Sequence, residues 1–506
     1  MIFNSLTYVV FLGLVVLLHR LLSGRARLAL LAVASLVFYA FWRVDFALLM
    51  VLSASIDFVA ARGIAASADA RTRKRWLMAS LGANLGLLTL FKYTGFFLGN
   101  VQAALELAGL SIVLPRPDIL LPLGISFYTF QTIGYTVDVY RRHIDAERDW
   151  LAYLVFVTFF PQLVAGPIVR AATLLGQLKG PQRPLPGEMI EGVRWIVAGL
   201  VLKTVGADNL APFVDAGFAQ GAASLGGADV LTLAFLFGFQ IYFDFAAYSQ
   251  IAIGSALLVG IRLPRNFDFP YAATSPREFW LRWHISLSSW IRDYLYLPLA
   301  GIRPSGSRAT GGLVIAGDRA APTLGQADEA SAGRPREVAL RRTPSVAVLF
   351  ATWAIMGLWH GAAWTFVLWG LYHALLIAGY RWSTSWRERL PGALRVHGGR
   401  VLTLGLCMLA WIPFRADSVE QALALYGRLL VPGDWLSLGM RENAYLVAAL
   451  TCGGFIITSV VWRVWPIVRA RTPSIAGAGE ALVTAGLLLL LFLFLRPLEQ
   501  FIYFQF

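Results

Sequence analysis

Of the six histidines in the chain, His360 stands in the setting best suited to acid–base work, the run Gly357-Leu358-Trp359-His360-Gly361. The surrounding residues, 343–380, contain no Asp, Glu, Lys or Arg. An ionisable group inside such a stretch is costly and faces a cavity or a partner. If the chain turns at Gly361, the arms 345–358 and 362–378 are helices of roughly 21 and 25 Å. Both fall short of the roughly 30 Å hydrocarbon core of a bilayer, so the turn is expected to be sunken and the imidazole to lie at membrane depth. Trp359 and Trp364 offer cavity walls, and Gly357 and Gly361 let a second chain or a ligand approach the backbone. A neutral imidazole there can take the proton from a hydroxyl that attacks an ester or thioester. The competing reading is a histidine that bonds a carbonyl and ties two helices together. His373, in a Trp and Tyr setting, is read in this second way.

A second cluster runs Phe279-Trp280-Leu281-Arg282-Trp283-His284-Ile285-Ser286-Leu287-Ser288 and on through Trp290-Ile291-Arg292-Asp293-Tyr294. It is amphipathic, aromatic and basic together. That suits either an interfacial anchor with snorkelling arginines or a site in which Arg282 and Arg292 bind an anionic donor and His284 donates to a developing oxyanion. A third signal is Asp244, inside Tyr242-Phe243-Asp244-Phe245 with Tyr248 and Ser249 beyond it. Such an acid orients a histidine, pairs with an arginine, or serves a structural ion pair. Asp57 and Lys92 have no polar cluster near them in the sequence and are assigned to helix packing or interface contacts. The chain closes on Phe501-Ile502-Tyr503-Phe504-Gln505-Phe506, an aromatic tail of the kind that anchors at a membrane interface.

The elements that must hold these groups follow from composition. Charged residues make up 14% of the 506 positions, against roughly 25% in soluble proteins. Hydrophobic residues reach 58% before the 47 glycines are counted, more apolar surface than one water-soluble core can hide. This excludes a soluble enzyme, a disordered scaffold and a secreted disulfide protein. Charge-free windows recur at 1–18, 28–42, 119–137, 150–169, 443–462 and 481–495, and 230–261 carries a single charge, Asp244. With shorter and broken spans included, about 11 to 13 membrane helices are expected. Residues 1–18 lack a basic start and a small-residue cleavage site and read as a retained first span.

Arg20, Arg25 and Arg27, then Arg71, Arg73, Lys74 and Arg75, and then Arg141, Arg142 and Arg148 fall in alternate loops, which places those loops in the cytoplasm and the amino terminus outside. The net charge of +14 thus reflects topology and contact with anionic lipid rather than nucleic-acid binding. Cys407 and Cys452 lie in apolar runs and imply neither a metal site nor a disulfide framework. No repeat of fixed period and no related halves are present, which argues weakly against a carrier. Residues 301–343 are rich in Gly, Ala, Ser and Arg and read as a mobile, cytoplasmic loop between a membrane part at 1–300 and a second at 344–506.

Four segments together resemble the membrane-bound O-acyltransferase family, and within it the bacterial alginate O-acetyltransferase branch. They are Phe159-Phe160-Pro161-Gln162-Leu163-Val164-Ala165-Gly166-Pro167-Ile168, the Tyr242 to Ser249 patch, Arg282-Trp283-His284 and Trp359-His360-Gly361. Leu121-Pro122-Leu123-Gly124-Ile125-Ser126-Phe127-Tyr128-Thr129-Phe130-Gln131 also fits that branch. The likeness spans about residues 80–415 and the extreme carboxy terminus. It departs after Leu299, where the branch usually continues into a short Gly-Gly-Asn-Arg turn.

The resemblance implies an all-α polytopic membrane protein, with re-entrant or broken helices around a central tunnel. It places the essential family histidine at His360 and the second signature histidine at His284, with Arg282, Arg292, Asp244, Trp359 and Gly361 in support and no metal. It further implies a bacterial inner-membrane enzyme with no bound cofactor, taking an acyl group from acetyl-CoA or another cytoplasmic thioester towards an exported polysaccharide. An extracytoplasmic acyl-accepting transferase is the implied partner. In related envelope-acylation systems a similar terminal motif carries a tyrosine that resembles an acyl relay, which singles out Tyr503. Peptidoglycan O-acetylation and teichoic-acid D-alanylation are the neighbouring activities. A lipid or polysaccharide transporter lined by His284, Asp244 and His360 is the reading from another class.

Overall fold

The computed structural model describes residues 1–180, 183–302, 345–494 and 501–502. Among them there are helices and no strand. The first helix, α1 (Leu6–Leu21), starts where the Ser5 hydroxyl accepts from the Tyr8 amide, filling one of the N–H groups that a helix start leaves open. It is followed by α2 (Arg25–Ala40) and α3 (Val44–Ala66). Next, α4 (Ala70–Leu88) continues through a π-helical turn at Thr89–Tyr93 into α5 (Thr94–Leu107). Gly124, at φ 72°, permits the tight start of α6 (Ile125–Tyr140). Arg25 reaches Asp149, and Arg73 donates to the Tyr140 carbonyl, so the arginine-bearing loops lie together on one face of the molecule.

The charge-free window 150–169 is long enough to cross, yet it dips and returns. Its helix, α7 (Trp150–Thr158), stops before Pro161, and Gly166-Pro167 prevents a second helix from forming. Arg170, at the far end, bonds Asp293 at 2.9 Å, while Arg141 from the arginine-rich face donates to the Asp293 carbonyl. The non-helical backbone at depth is served by its neighbours. The Phe160 amide donates to Ser35 in α2, and the amides of Gln131 and Gln162 both donate to the Phe156 carbonyl. Irregular backbone survives in a membrane only when protein groups satisfy it in this way.

After α8 (Ala171–Leu178), α9 (Pro186–Val201) passes through a π-helical turn at Leu202–Ala207 into α10 (Asp208–Ala219). It packs along α11 (Gly227–Leu258), where Gly192 and Gly254 bring the two backbones close. The central window of α11 is 78% buried, which makes it the post around which the other helices stand. Three short helices follow, α12 (Pro276–Arg282), α13 (Ile285–Ile291) and α14 (Leu297–Leu299). Beyond 345 come α15 (Val346–His360), α16 (Trp364–Trp382), α17 (Thr384–Arg387), α18 (Gly392–Leu409), α19 (Trp411–Arg415) and α20 (Val419–Arg428). The last two, α21 (Glu442–Arg471) and α22 (Pro473–Leu493), have windows only 11% and 6% buried. Their apolar sides suit lipid.

Among the described residues seven helical runs are long and apolar enough to cross a membrane, and α1 and α15 are apolar but shorter. The protein is an all-helical, multi-pass membrane protein. Most of the expected loop, 303–343, and Tyr503 lie outside the described residues.

Glycines also bring α15 and α16 into close contact. A Cβ on Gly357 would strike the Phe366 carbonyl, and one on Gly370 would strike the Trp353 carbonyl. Without a hydrophobic drive inside lipid, such small residues are what allow helices to pack. Gly370→Ala is therefore expected to destabilise by about 1 to 3 kcal/mol. The unfolding midpoint in detergent measures this, and an unchanged midpoint would show that the helices separate without loss.

Candidate active site

His360 is the last residue of α15, one position from the expected turn. Gly361 is extended, and its missing Cβ leaves the space that the Phe366 ring fills. His360 Nδ1 lies 2.8 Å from the Met356 carbonyl. A carbonyl oxygen can only accept, so Nδ1 carries the proton and Nε2 holds the lone pair while the ring is neutral. The imidazole is buried, with the rings of Trp369 at 4.7 Å, Trp359 at 4.9 Å and Phe414 at 5.6 Å, all near perpendicular.

A helix that ends inside the protein leaves its last carbonyls without helical donors. Lys92 fills this need: its Nζ donates to the carbonyls of Trp359 at 2.6 Å and His360 at 3.1 Å, and Tyr93 Oη donates to that of Leu358 at 2.9 Å. Both come from the π-helical turn between α4 and α5, whose extra residue turns them towards α15. Lys92 is thus a helix-packing residue of a particular kind, a cation at a helix carboxy terminus. Neither its spacing nor its neighbours in the sequence disclose that role.

His284 sits between α12 and α13 in the left-handed region, at φ 43°, which a non-glycine residue adopts only when its surroundings impose it. Asn266 imposes it. Its carbonyl accepts from the Ile285 amide, its side-chain oxygen accepts from both the amide and the hydroxyl of Ser286, and its NH₂ donates to Ser249 on α11. The His284 ring is fully buried, 4.5 Å from Phe245, 6.2 Å from Phe127 and 6.1 Å from Trp359. Trp359 therefore touches the cages of both histidines and stacks in turn on Phe130, which stacks on Trp290. Two histidines distant in sequence meet across one indole.

The supporting residues divide. Arg282 is bonded to Glu278 at 2.7 Å and to the Asp268 carbonyl. Arg292 bonds Asp293 at 2.7 Å on the arginine-rich face, where Arg170 reaches the same carboxylate. Of the three readings of Asp244, the structure shows an ion pair, with Lys203 at 2.8 Å, and Lys203 also meets Asp208 at 2.8 Å. His373 accepts from Trp280 Nε1 at 3.3 Å, in keeping with its structural reading. Asp57 has a polar cluster in space that the sequence around it does not show. Ser80 and Asn84, four residues apart on one side of α4, both donate to it, and Asn84 accepts in turn from Thr132 on α6. Among the described residues no three His, Cys, Asp or Glu side chains gather as metal ligands.

An imidazole with a fixed tautomer thus lies buried beside a second one among packed aromatic rings of a helical membrane protein. Residues 140–313 match the model of the membrane-bound O-acyltransferase family. The chain is 33% identical to the probable alginate O-acetylase AlgI of Azotobacter vinelandii, over 95% of this chain and 88% of that protein. It is 32% identical to the peptidoglycan O-acetyltransferase of Helicobacter pylori over 78% of this chain and 72% of that one. To the teichoic acid D-alanyltransferase of Bacillus subtilis it is 25% identical over 54% of this chain and 62% of that protein. The chain belongs to the membrane-bound O-acyltransferase family and is an acyltransferase.

Loss of a general base lowers turnover by about 10²- to 10⁴-fold, and this is expected of His360→Ala in an acyl-transfer assay with unchanged insertion and detergent stability. Full turnover in that variant would remove the role. Lys92 acts through the helix end and is a positioning residue. Lys92→Met should lower kcat by up to about 10²-fold at near-constant KM for the donor, and Lys92→Arg should restore part of it. A fall in KM-side binding alone would assign Lys92 to the donor instead.

Proposed function

We propose that the protein is an O-acetyltransferase of the bacterial cytoplasmic membrane, moving acetyl from a thioester such as acetyl-CoA towards an exported polysaccharide of the alginate kind. The observation that carries this reading is the His360 Nδ1 contact with the Met356 carbonyl, which leaves Nε2 as a base in the chamber shared with His284. The extent of the likeness to the alginate O-acetylase of Azotobacter vinelandii supports the substrate class. Likeness to the peptidoglycan enzyme, over less of the chain, keeps peptidoglycan as the second reading.

In this reaction His360 Nε2 takes the proton of an attacking hydroxyl as its oxygen bonds to the thioester carbonyl carbon. His284 donates to the oxyanion, the C–S bond breaks, and the proton passes to the departing thiolate. Arg141, Arg170 and Arg292 gather at Asp293 on the arginine-rich face, with Asp138 facing Arg141 and Arg170, and this group of cations is the proposed site for a donor phosphate.

The attacking hydroxyl is that of Tyr503, which then offers the acetyl group to an extracytoplasmic transferase partner. A phenol has a pKa of about 10, so its ester has a better leaving group than an alkyl ester and can hand the group onward. Mass spectrometry of the carboxy-terminal peptide after loading with acetyl-CoA is expected to show one acetyl on Tyr503, absent in His360→Ala. A tail that never gains that mass, with Tyr503→Phe fully active on the polymer, would reduce the tail to an anchor.

A further inference from the structure

The patch on α11 from Tyr242 to Ser249 presents two neighbouring stripes, each made of residues four apart and so on one side of a helix. Phe245 and Ser249 form the first and serve the His284 turn, one through its ring and the other through Asn266. Asp244 and Tyr248 form the second, and what they hold is the end of the chain. Ile502 donates its amide to Asp244 Oδ2 at 2.8 Å, while Asp244 Oδ1 takes Lys203. The Phe501 ring stands edge-on to Tyr248 at 5.2 Å, and Lys203 Nζ lies 4.7 Å from its centroid. Behind Tyr248, Phe3 stacks at 4.4 Å and closes the back of the recess.

Asp244 falls near the middle of α11, about 25 Å from its start and about 21 Å from its end at 1.5 Å per residue. The last helix, α22, lies beside α9 and is joined to it by Arg194 and Glu480. Residues 501 and 502 thus meet α11 at the middle of its length. A chain end does not return into an apolar core for packing alone, because each amide that re-enters needs an acceptor. Here a buried carboxylate, itself held by a lysine, supplies that acceptor. The lysine also offers the cation that an aromatic face favours.

We propose that Lys203, Asp244 and Tyr248 form a seat for the carboxy-terminal segment, holding Phe501 and Ile502 beside the His284 stripe so that the next residue, Tyr503, is delivered to the histidine chamber. The purpose of the seat rests on the acyl-relay reading; its existence does not. Lys203 and Asp244 are positioning residues, since neither is among the groups that touch the histidines. The occupant is a segment of this same chain, and its recognition is by one main-chain hydrogen bond and one aromatic ring.

The test uses the full chain in detergent with Ile502→Cys, which keeps the amide that Asp244 accepts. Labelling by N-ethylmaleimide is followed at the peptide carrying residue 502, because a thiol held in an apolar site reacts slowly. Two variants release the seat differently. Lys203→Met/Asp208→Asn/Asp244→Leu removes the lysine together with both carboxylates it meets, and Phe501→Ala leaves the ion pairs intact. Labelling at residue 502 is expected to rise at least tenfold in both, with kcat for acetyl transfer falling at constant KM for acetyl-CoA. Unchanged labelling in both variants would overturn the seat, whatever Tyr503 carries. A tenfold rise with no acetyl ever found on Tyr503 would keep the seat and overturn only the relay.

Discussion

The site depends on a helix that stops inside the protein. In that setting no water reaches the final carbonyls, and an unsatisfied one costs several kcal/mol, so α15 can end at His360 only if another element supplies donors. Lys92 and Tyr93 supply them from the turn between α4 and α5. The same stop frees the His360 ring to bond back to Met356, four residues earlier, and fixes its tautomer. The position and tautomer of the imidazole are thus consequences of one unmet backbone requirement. The glycine contacts of Gly357 and Gly370 serve it too, since α16 must press against α15 to bring Trp369 against the imidazole.

Much of this was legible in the sequence because membrane physics is strongly constraining. Charge-free windows gave the class, and the apolar flanks of His360 read as two helices meeting at a turn beside it. The helix boundaries came within a few residues, at Val346–His360 and Trp364–Trp382. Where a window failed to cross, at 150–169, the prolines and glycine that turn it back were in plain view; a hydropathy window has no term for a chain that returns to its own face.

Partners from other helices were not legible. Asp57 appears isolated in sequence, yet Ser80, Asn84 and Thr132 surround it from α4 and α6. Lys92 appears as a stray charge, and its partners are carbonyls, which every residue has. Asp244 was visible as an anomaly, but Lys203 was not, because a lysine at the end of a helix that continues through a π-helical turn looks like an ordinary interfacial cation. Asn266 gave no signal either, although it holds His284 in its left-handed turn. In each case the polar atom belongs to one helix and its need is met by another, and a single sequence has no column for that.

The two histidines also answer different constraints, which bears on how the chamber works. His360 is fixed by its own helix, through a bond that spans one turn, and so it keeps its place as long as α15 keeps its end. His284 is fixed by a loop residue, Asn266, tied to α11 through Ser249. A shift of α11 would therefore move His284 and the recess at Asp244 together while leaving His360 where it is. Trp359 lies between the two frames, edge-on to His360 and within 6.1 Å of His284, and is braced by Phe127 and Phe130 of α6. The spacing of the two imidazoles is thus set by how α6, α11 and α15 pack around one indole. That accounts for the large rings packed around the two imidazoles: stiff side chains with few rotamers fix a spacing that aliphatic packing would leave adjustable.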